Sequence, residues 1–205
     1  MLLGGGADGV DSPPQRRPRS TGHDSRYRVM LKGVCMEELS YILERSTAGI
    51  ARDYFYLNLD GGDPVYRERV YCYELYHQMR IRWPEQTPFY LNGEVDKARH
   101  PKMVELRDRF PKPDLLVHQP GYMAGNFAVI EVKCERASKG GIAKDLETLS
   151  FFVNEFGYQR AIYLIYGDEA MATLGQVQEL AQDIEGLGAI EYWAHVAPDT
   201  AAVRL

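Results

Sequence analysis

Two periods of apolar and polar residues alternate along this chain, and they predict its elements in order. A helical spacing runs through 36–48, "MEELSYILERSTA", and "DYFYLNL" at 53–59 reads equally as strand or as helix continuation. "GGDP" breaks the chain before a longer helix, "VYRERVYCYELYHQMRIR", that stops ahead of Pro84. The period then shortens to two. "PFYLNGEVDKA" (88–98) predicts a strand or hairpin arm, "PDLLVH" (113–118) a short strand opened by proline, and "NFAVIEVKC" (126–134) another. The turn-rich "QPGYMAG" between the last two is short enough to join antiparallel neighbours.

Helical spacing returns in "GIAKDLETLSFFVNEFG", where Ile142, Leu146, Leu149, Val153 and Phe156 share a face and Gly157 closes the element. "RAIYLIYG" (160–167) is apolar almost throughout, as a strand covered on both faces would be. A last helix, "EAMATLGQVQELAQDIEGLG", and a last strand, "AIEYWAHV", follow. The order is helix, three strands, helix, strand, then helix and strand again, which predicts an α/β fold with a mixed sheet flanked by helices.

Residues 1–27 stand apart, rich in Gly, Pro, Ser and Arg and without apolar periodicity, so a disordered tail ahead of one domain, 28–205, is expected. At 205 residues and 45% hydrophobic, the chain is long enough for one domain with a substantial core. No apolar run approaches the ~18 residues of a membrane span, and the start lacks the apolar stretch of a secretory signal. Cys35, Cys72 and Cys134 are odd in number and far apart, which argues against a disulfide framework or a zinc site and for a reducing, cytoplasmic setting. The net charge is −5, and the first 27 residues hold four arginines against three aspartates. A protein that coats nucleic acid unspecifically is usually basic. Contact with DNA or RNA would therefore need a local patch, or a metal ion offsetting the carboxylates.

The run "VIEVKCE" (129–135) carries the chemistry. In a strand Val129, Glu131 and Lys133 share one face and Ile130, Val132 and Cys134 the other. Charge on an apolar strand is costly unless paired or used. Asp114 opens the preceding strand, and an antiparallel pairing can bring its carboxylate beside that of Glu131. Two adjacent carboxylates share a proton or bind a cation. Hard oxygen ligands suit Mg²⁺ or Mn²⁺, with water and substrate phosphate completing the shell. Lys133, about 6.6 Å further along the strand, would sit beside the ion. The plain alternative is an ion pair of Lys133 with Glu131 or Asp114 at a sheet edge.

This arrangement resembles the PD-(D/E)XK nuclease superfamily, whose signature stands here as Pro113-Asp114 and Glu131-Val132-Lys133. The family's restriction-endonuclease-like core, helix, three-stranded meander, helix, strand (αβββαβ), is the order found above over roughly 66–167. The resemblance implies that Asp114 and Glu131 hold the metal with the Val132 carbonyl, and that Lys133 serves the attacking water. It also implies a supporting carboxylate on the first core helix, where Glu74 in "CYELYHQ" matches. The implied activity is Mg²⁺- or Mn²⁺-dependent hydrolysis of DNA or RNA, leaving a 5′-phosphate and a 3′-hydroxyl. The alternatives are a binding or assembly module on the same fold that no longer cleaves, and an RNA endonuclease of the cap-snatching type. A homodimer is an open option.

Around this centre stand weaker candidates. Lys139 and Lys144 begin the helix after the triad, where many relatives touch phosphates, and solvent exposure explains them equally well. Arg80 and Arg82 adjoin Trp83, pairing two cations with a ring that could stack a base. Glu94 and Asp96 share a strand face and could join the metal site or a solvated hairpin edge. His118 has the parity of Asp114 and reads as a ligand or, more simply, as a structural histidine. Asp145 falls near the edge of its helix's core face, placed to cap the helix or hold a lysine. No GxSxG, P-loop or HExxH is present, and the N-terminal "GGGADG" follows no strand, so it is not a dinucleotide loop.

Overall fold

The computed structural model describes residues 38–94 and 111–205, all within a unit spanning 37–205. Helix α1 (38–47) and a single turn, α2 (Arg52–Phe55), lead into strands β1 (Leu57–Leu59) and β2 (Gly62–Val65). Helix α3 (Glu68–Ile81) follows, then β3 (Tyr90–Gly93), β4 (Leu115–His118) and β5 (Asn126–Cys134). The chain continues through α4 (Lys139–Phe156), β6 (Arg160–Tyr166), α5 (Ala170–Gln182), β7 (Ile190–His195) and the two-residue β8 (Val203–Arg204).

The six strands from β3 to β8 form one sheet in sequence order. The first three pair as an antiparallel meander, β5–β6 and β6–β7 are parallel, and β8 returns antiparallel. Each parallel step needs a crossover, and α4 and α5 supply them. The predicted mixed sheet between helices is therefore present.

Strand parity sorts the core. Val129, Ala161, Tyr163 and Ile165 pack with Leu146, Leu149 and Phe152 of α4 and Leu174 and Val177 of α5. The opposite parity faces α2 and α3: Tyr71 stacks on Tyr166 at 3.9 Å between ring centroids, and Phe55 meets His195 edge-on. Both central strands, β5 and β6, are thus covered on both faces, which is why they read as nearly continuous apolar runs. Gly157 ends α4 at φ 66°, a left-handed turn that an L side chain resists, and its N–H reaches back to the last carbonyls of the helix.

Several boundaries differ from the sequence reading. "DYFYLNL" is neither one strand nor one helix; it divides at Tyr56 into α2 and β1. "GGDP" does not merely break the chain, because residues 62–65 return as β2 against β1 through a turn with Gly61 at φ 69°. Pro64 is tolerated there because a two-stranded ribbon leaves an edge without ladder bonds. Helix α3 starts at Glu68, after Tyr66 and Arg67, and α5 ends at Gln182 rather than near Gly188. The expected disordered tail (1–27), residues 95–98 of the first strand and the candidate Asp96 all lie outside the described residues. Among the described residues no helix is long and apolar enough to cross a membrane.

Candidate active site

The β4–β5 register brings Asp114 and Glu131 together. Leu115 pairs with Ile130 and Leu116 with Val129, so the next position along sets Asp114 opposite Glu131. Asp114 Oδ2 accepts the Val132 N–H at 2.8 Å, and this bond fixes the carboxylate against the strand. Glu131 is 4% exposed and shares a hydrogen bond with Asp114. Burial, then the charges of Asp114 and Asp145, push the Glu131 carboxyl well above the usual carboxylate range. Asp114 is raised too, by burial, although the Val132 N–H and Lys133 oppose the shift. Two such carboxyl groups in one buried site hold a proton between them unless a cation replaces it.

Lys133 closes one side of the group. Its Nζ lies 2.9 Å from Glu68 Oε2, at the first turn of α3, and 3.5 Å from Asp145 Oδ2 on α4. Burial pulls its pKa down, but Asp145 and Glu68 outweigh burial and hold the ammonium above its ordinary value. An amine held that way does not take up a proton near neutral pH. It offers charge and N–H donors instead. Asp145 is pushed up to about 6, chiefly by burial, with Lys133 opposing. The Tyr163 hydroxyl donates to its Oδ2 at 3.5 Å. Four carboxyl groups thus gather around one ammonium at the C-terminal end of β5.

Glu68 and Asp145 are what the sequence reading missed or left open. Asp145 had been read as a helix cap or a partner for a lysine, and Lys133 is that lysine. Glu68 carried no distinguishing signal, since an acidic first turn is ordinary helix chemistry. The sign that could have found it is spacing: Glu68, Cys72, Leu75 and Met79 lie along one stripe of α3, of which the last three are buried.

Glu74, the expected carboxylate of this helix, is six residues on, about 9 Å along the axis and a third of a turn round it. Its Oε1 accepts from Gln78 Nε2 at 2.6 Å, and Gln78 Oε1 in turn accepts from Arg82 Nη1 at 2.6 Å. The α3 carboxylate that contacts Lys133 is therefore Glu68 and not Glu74. Arg80 and Arg82 stand at the far end of α3, about 18 Å along the helix from Glu68. The Trp83 ring is tied by its N–H to the Phe89 carbonyl at 3.0 Å.

Lys139 and Lys144 are exposed on the first two turns of α4, the helix that carries Asp145. Ser138 caps that helix, accepting the Gly141 N–H at 3.2 Å. His118 meets Asn92 Oδ1 at 3.0 Å through Nε2. Glu94 lies 3.5 Å from Arg69 on the exposed surface.

The donor set suits a hard divalent cation. Asp114, Glu131 and the Val132 carbonyl offer oxygen donors on adjoining strands, and burial beside one another raises both carboxyl pKa values. Among the described residues no group of three or more His, Cys, Asp or Glu side chains is placed to hold a metal ion. Mg²⁺ does not require one: it takes one or two carboxylates and keeps water and phosphate for the remaining positions. An open, two-carboxylate site fits that habit.

No protein-family model, no curated protein and no solved structure matches this chain.

Proposed function

We propose that this protein is a metal-dependent phosphodiesterase that hydrolyses DNA or RNA. The observation that carries the reading is the placement of Asp114, at the start of β4, opposite Glu131 with Lys133 on the same face of β5, all beside the C-terminal end of β5. In α/β sheets that end is where ligands bind. Asp114, Glu131 and the Val132 carbonyl would hold Mg²⁺ or Mn²⁺, with Glu68 at the rim beside Lys133. A divalent ion supplies Lewis-acid charge against the phosphoryl oxygens and acidifies water.

The chain's own groups do the rest. The protonated Lys133 donates hydrogen bonds to the attacking water or to the phosphate, and its charge offsets the negative charge that grows on the phosphoryl oxygens. Glu68 and Asp145 hold Lys133 in place from two sides. The Val132 N–H keeps one oxygen of Asp114 turned inward. Attack in line with the leaving oxygen would give a 5′-phosphate and a 3′-hydroxyl, as the resemblance to PD-(D/E)XK nucleases implies.

A second reading has its own observation: Lys133 is already satisfied by Glu68 at 2.9 Å, as in a structural ion pair. The chain would then be a binding or assembly module on a nuclease-like fold. One assay separates the two. Labelled single- and double-stranded DNA and RNA are incubated with Mg²⁺, Mn²⁺ or EDTA, beside the Asp114→Asn variant. Cleavage that needs metal and Asp114 supports the enzyme; binding without cleavage in every metal supports the module.

A further inference from the structure

Beside the carboxylates lies a layered surface that the proposed chemistry does not use. The Arg52 guanidinium sits over the Tyr56 ring at 5.1 Å, Tyr56 and Tyr66 adjoin at 5.3 Å and 34°, and the Arg136 guanidinium sits over Tyr66 at 5.3 Å. The order is cation, ring, ring, cation. Asp168 anchors the middle of the pile: its carboxylate accepts the Tyr56 hydroxyl and its N–H donates to the Tyr66 hydroxyl at 3.2 Å. Both phenol ends are thus pinned by one residue, in the turn after β6 where Gly167, at φ 137°, leaves room for the Glu135 side chain. The outer members remain open to solvent, with the Arg136 side chain 73% exposed and 4.0 Å from Glu135 Oε1.

The pile joins the candidate active site through the chain itself. Tyr66 precedes Glu68 by two residues and Arg136 follows Lys133 by three, so their Cα atoms lie at most about 7 and 11 Å apart. A polyanion reaching four carboxyl groups and one lysine needs positive charge at the approach. Arg136 and Arg52 provide it. Guanidinium planes also accept stacked bases on a free face while their N–H edge meets phosphate.

Resting on the nuclease reading for its position, we infer that the Arg52–Tyr56–Tyr66–Arg136 pile binds an unpaired nucleotide strand next to the scissile phosphate. A base lies on the outer face of an arginine, and the neighbouring phosphates meet the guanidinium edges. Stacking on a guanidinium requires a free base face, which a duplex hides. The surface therefore selects single strands.

The test is fluorescence anisotropy with labelled 12-nucleotide single-stranded DNA, single-stranded RNA and a DNA duplex, in EDTA across a salt series. It compares the wild-type chain, Arg52→Gln/Arg136→Gln and Arg52→Lys/Arg136→Lys. The glutamine pair should bind single strands at least tenfold more weakly, with a salt slope shallower by about 1.4 for two lost phosphate contacts. The lysine pair should keep the slope and still lose affinity, because charge returns without the plane. A structural role alone would move melting temperature and leave the slope unchanged, and that outcome overturns the inference. So does equal binding by the glutamine pair, or tighter wild-type binding of the duplex. The two proposals fail separately. Metal-dependent cutting with unchanged binding by the glutamine pair sinks the pile and leaves the nuclease. Strand binding lost with the arginines, but no cutting in any metal, sinks the nuclease and leaves the pile.

Discussion

Two buried charge clusters sit at opposite ends of the same sheet, and they are built on opposite principles. At the start of β6, Arg160 is 3% exposed and grips Glu191 through two bonds, Nε to Oε1 and Nη2 to Oε2, each 2.7 Å. Ser40 accepts a further bond from Arg160 Nη2 at 2.9 Å, and Arg204 Nη1 stands 3.4 Å from Glu191. That is the bidentate fork geometry that fixes two elements in place, and its charges are compensated. At the end of β5, Glu68, Asp114, Glu131 and Asp145 surround a single Lys133, and Glu131 is driven toward its protonated form. One cluster is complete as folded; among the described residues the other sets one ammonium against four carboxyl groups. Completeness marks a structural device; on the function proposed above, the deficit is where a cation and a substrate would enter.

The contrast predicts effects of opposite kind. The largest is on rate. Lys133→Met keeps the stem and removes the charge, and it should slow cleavage about 10²- to 10³-fold. With Mg²⁺ present the variant should melt within a few degrees of the wild type. A variant that cuts at the wild-type rate, or that no longer folds, would move Lys133 into the structural class beside Arg160.

Next comes stability. Arg160→Met leaves the part-buried Glu191 carboxylate to the half-exposed Arg204 and should cost up to about 3–5 kcal/mol. At about 2–4 °C per kcal/mol for a domain of this size, the melting point should fall by up to roughly 6 to 20 °C. The fraction that remains folded should cut normally at low temperature. A drop of only a degree or two would show that this cluster is not the lock described.

A smaller effect should carry the opposite sign. The folded pKa values of Glu131 and Asp145 lie above their ordinary ones, so in EDTA the folded state binds more protons than the unfolded chain. Their contribution to stability is present at low pH and is lost as pH rises, through about 6 for Asp145 and above the ordinary carboxylate range for Glu131. Glu131→Gln removes the Glu131 share of that loss. As pH rises from about 4.5 without metal, thermal melts should therefore decline less in the variant. An identical or steeper decline would show that the carboxyl groups are already neutralised in the fold.

How much of this was legible beforehand follows from what local patterns can carry. Strand β5 is readable to both ends because, after Asn126, burial on both faces leaves only apolar residues until the charges begin at Glu131. The Asp114–Glu131 juxtaposition was legible as an antiparallel pairing across a short turn, but its exact register depends on an irregularity between Val117 and His118 that the sequence does not show. Glu68 was not legible. Its role comes from where the first turn of α3 meets the end of β5, a contact between residues 65 positions apart. The β1–β2 hairpin was hidden for another reason: Gly and Pro at 61–64 are loop signals, and only the facing strand makes residues 62–65 extended.

The claim that the acidic cluster is incomplete without a cation can be tested directly by melting the protein with and without Mn²⁺. At a hundredfold excess over the dissociation constant, a single site stabilises the fold by about 2.7 kcal/mol. For a domain of this size that is a rise of roughly 5 to 11 °C. The account predicts such a rise in the wild type and none in Asp114→Asn. No rise in the wild type, or the same rise in both proteins, would contradict it.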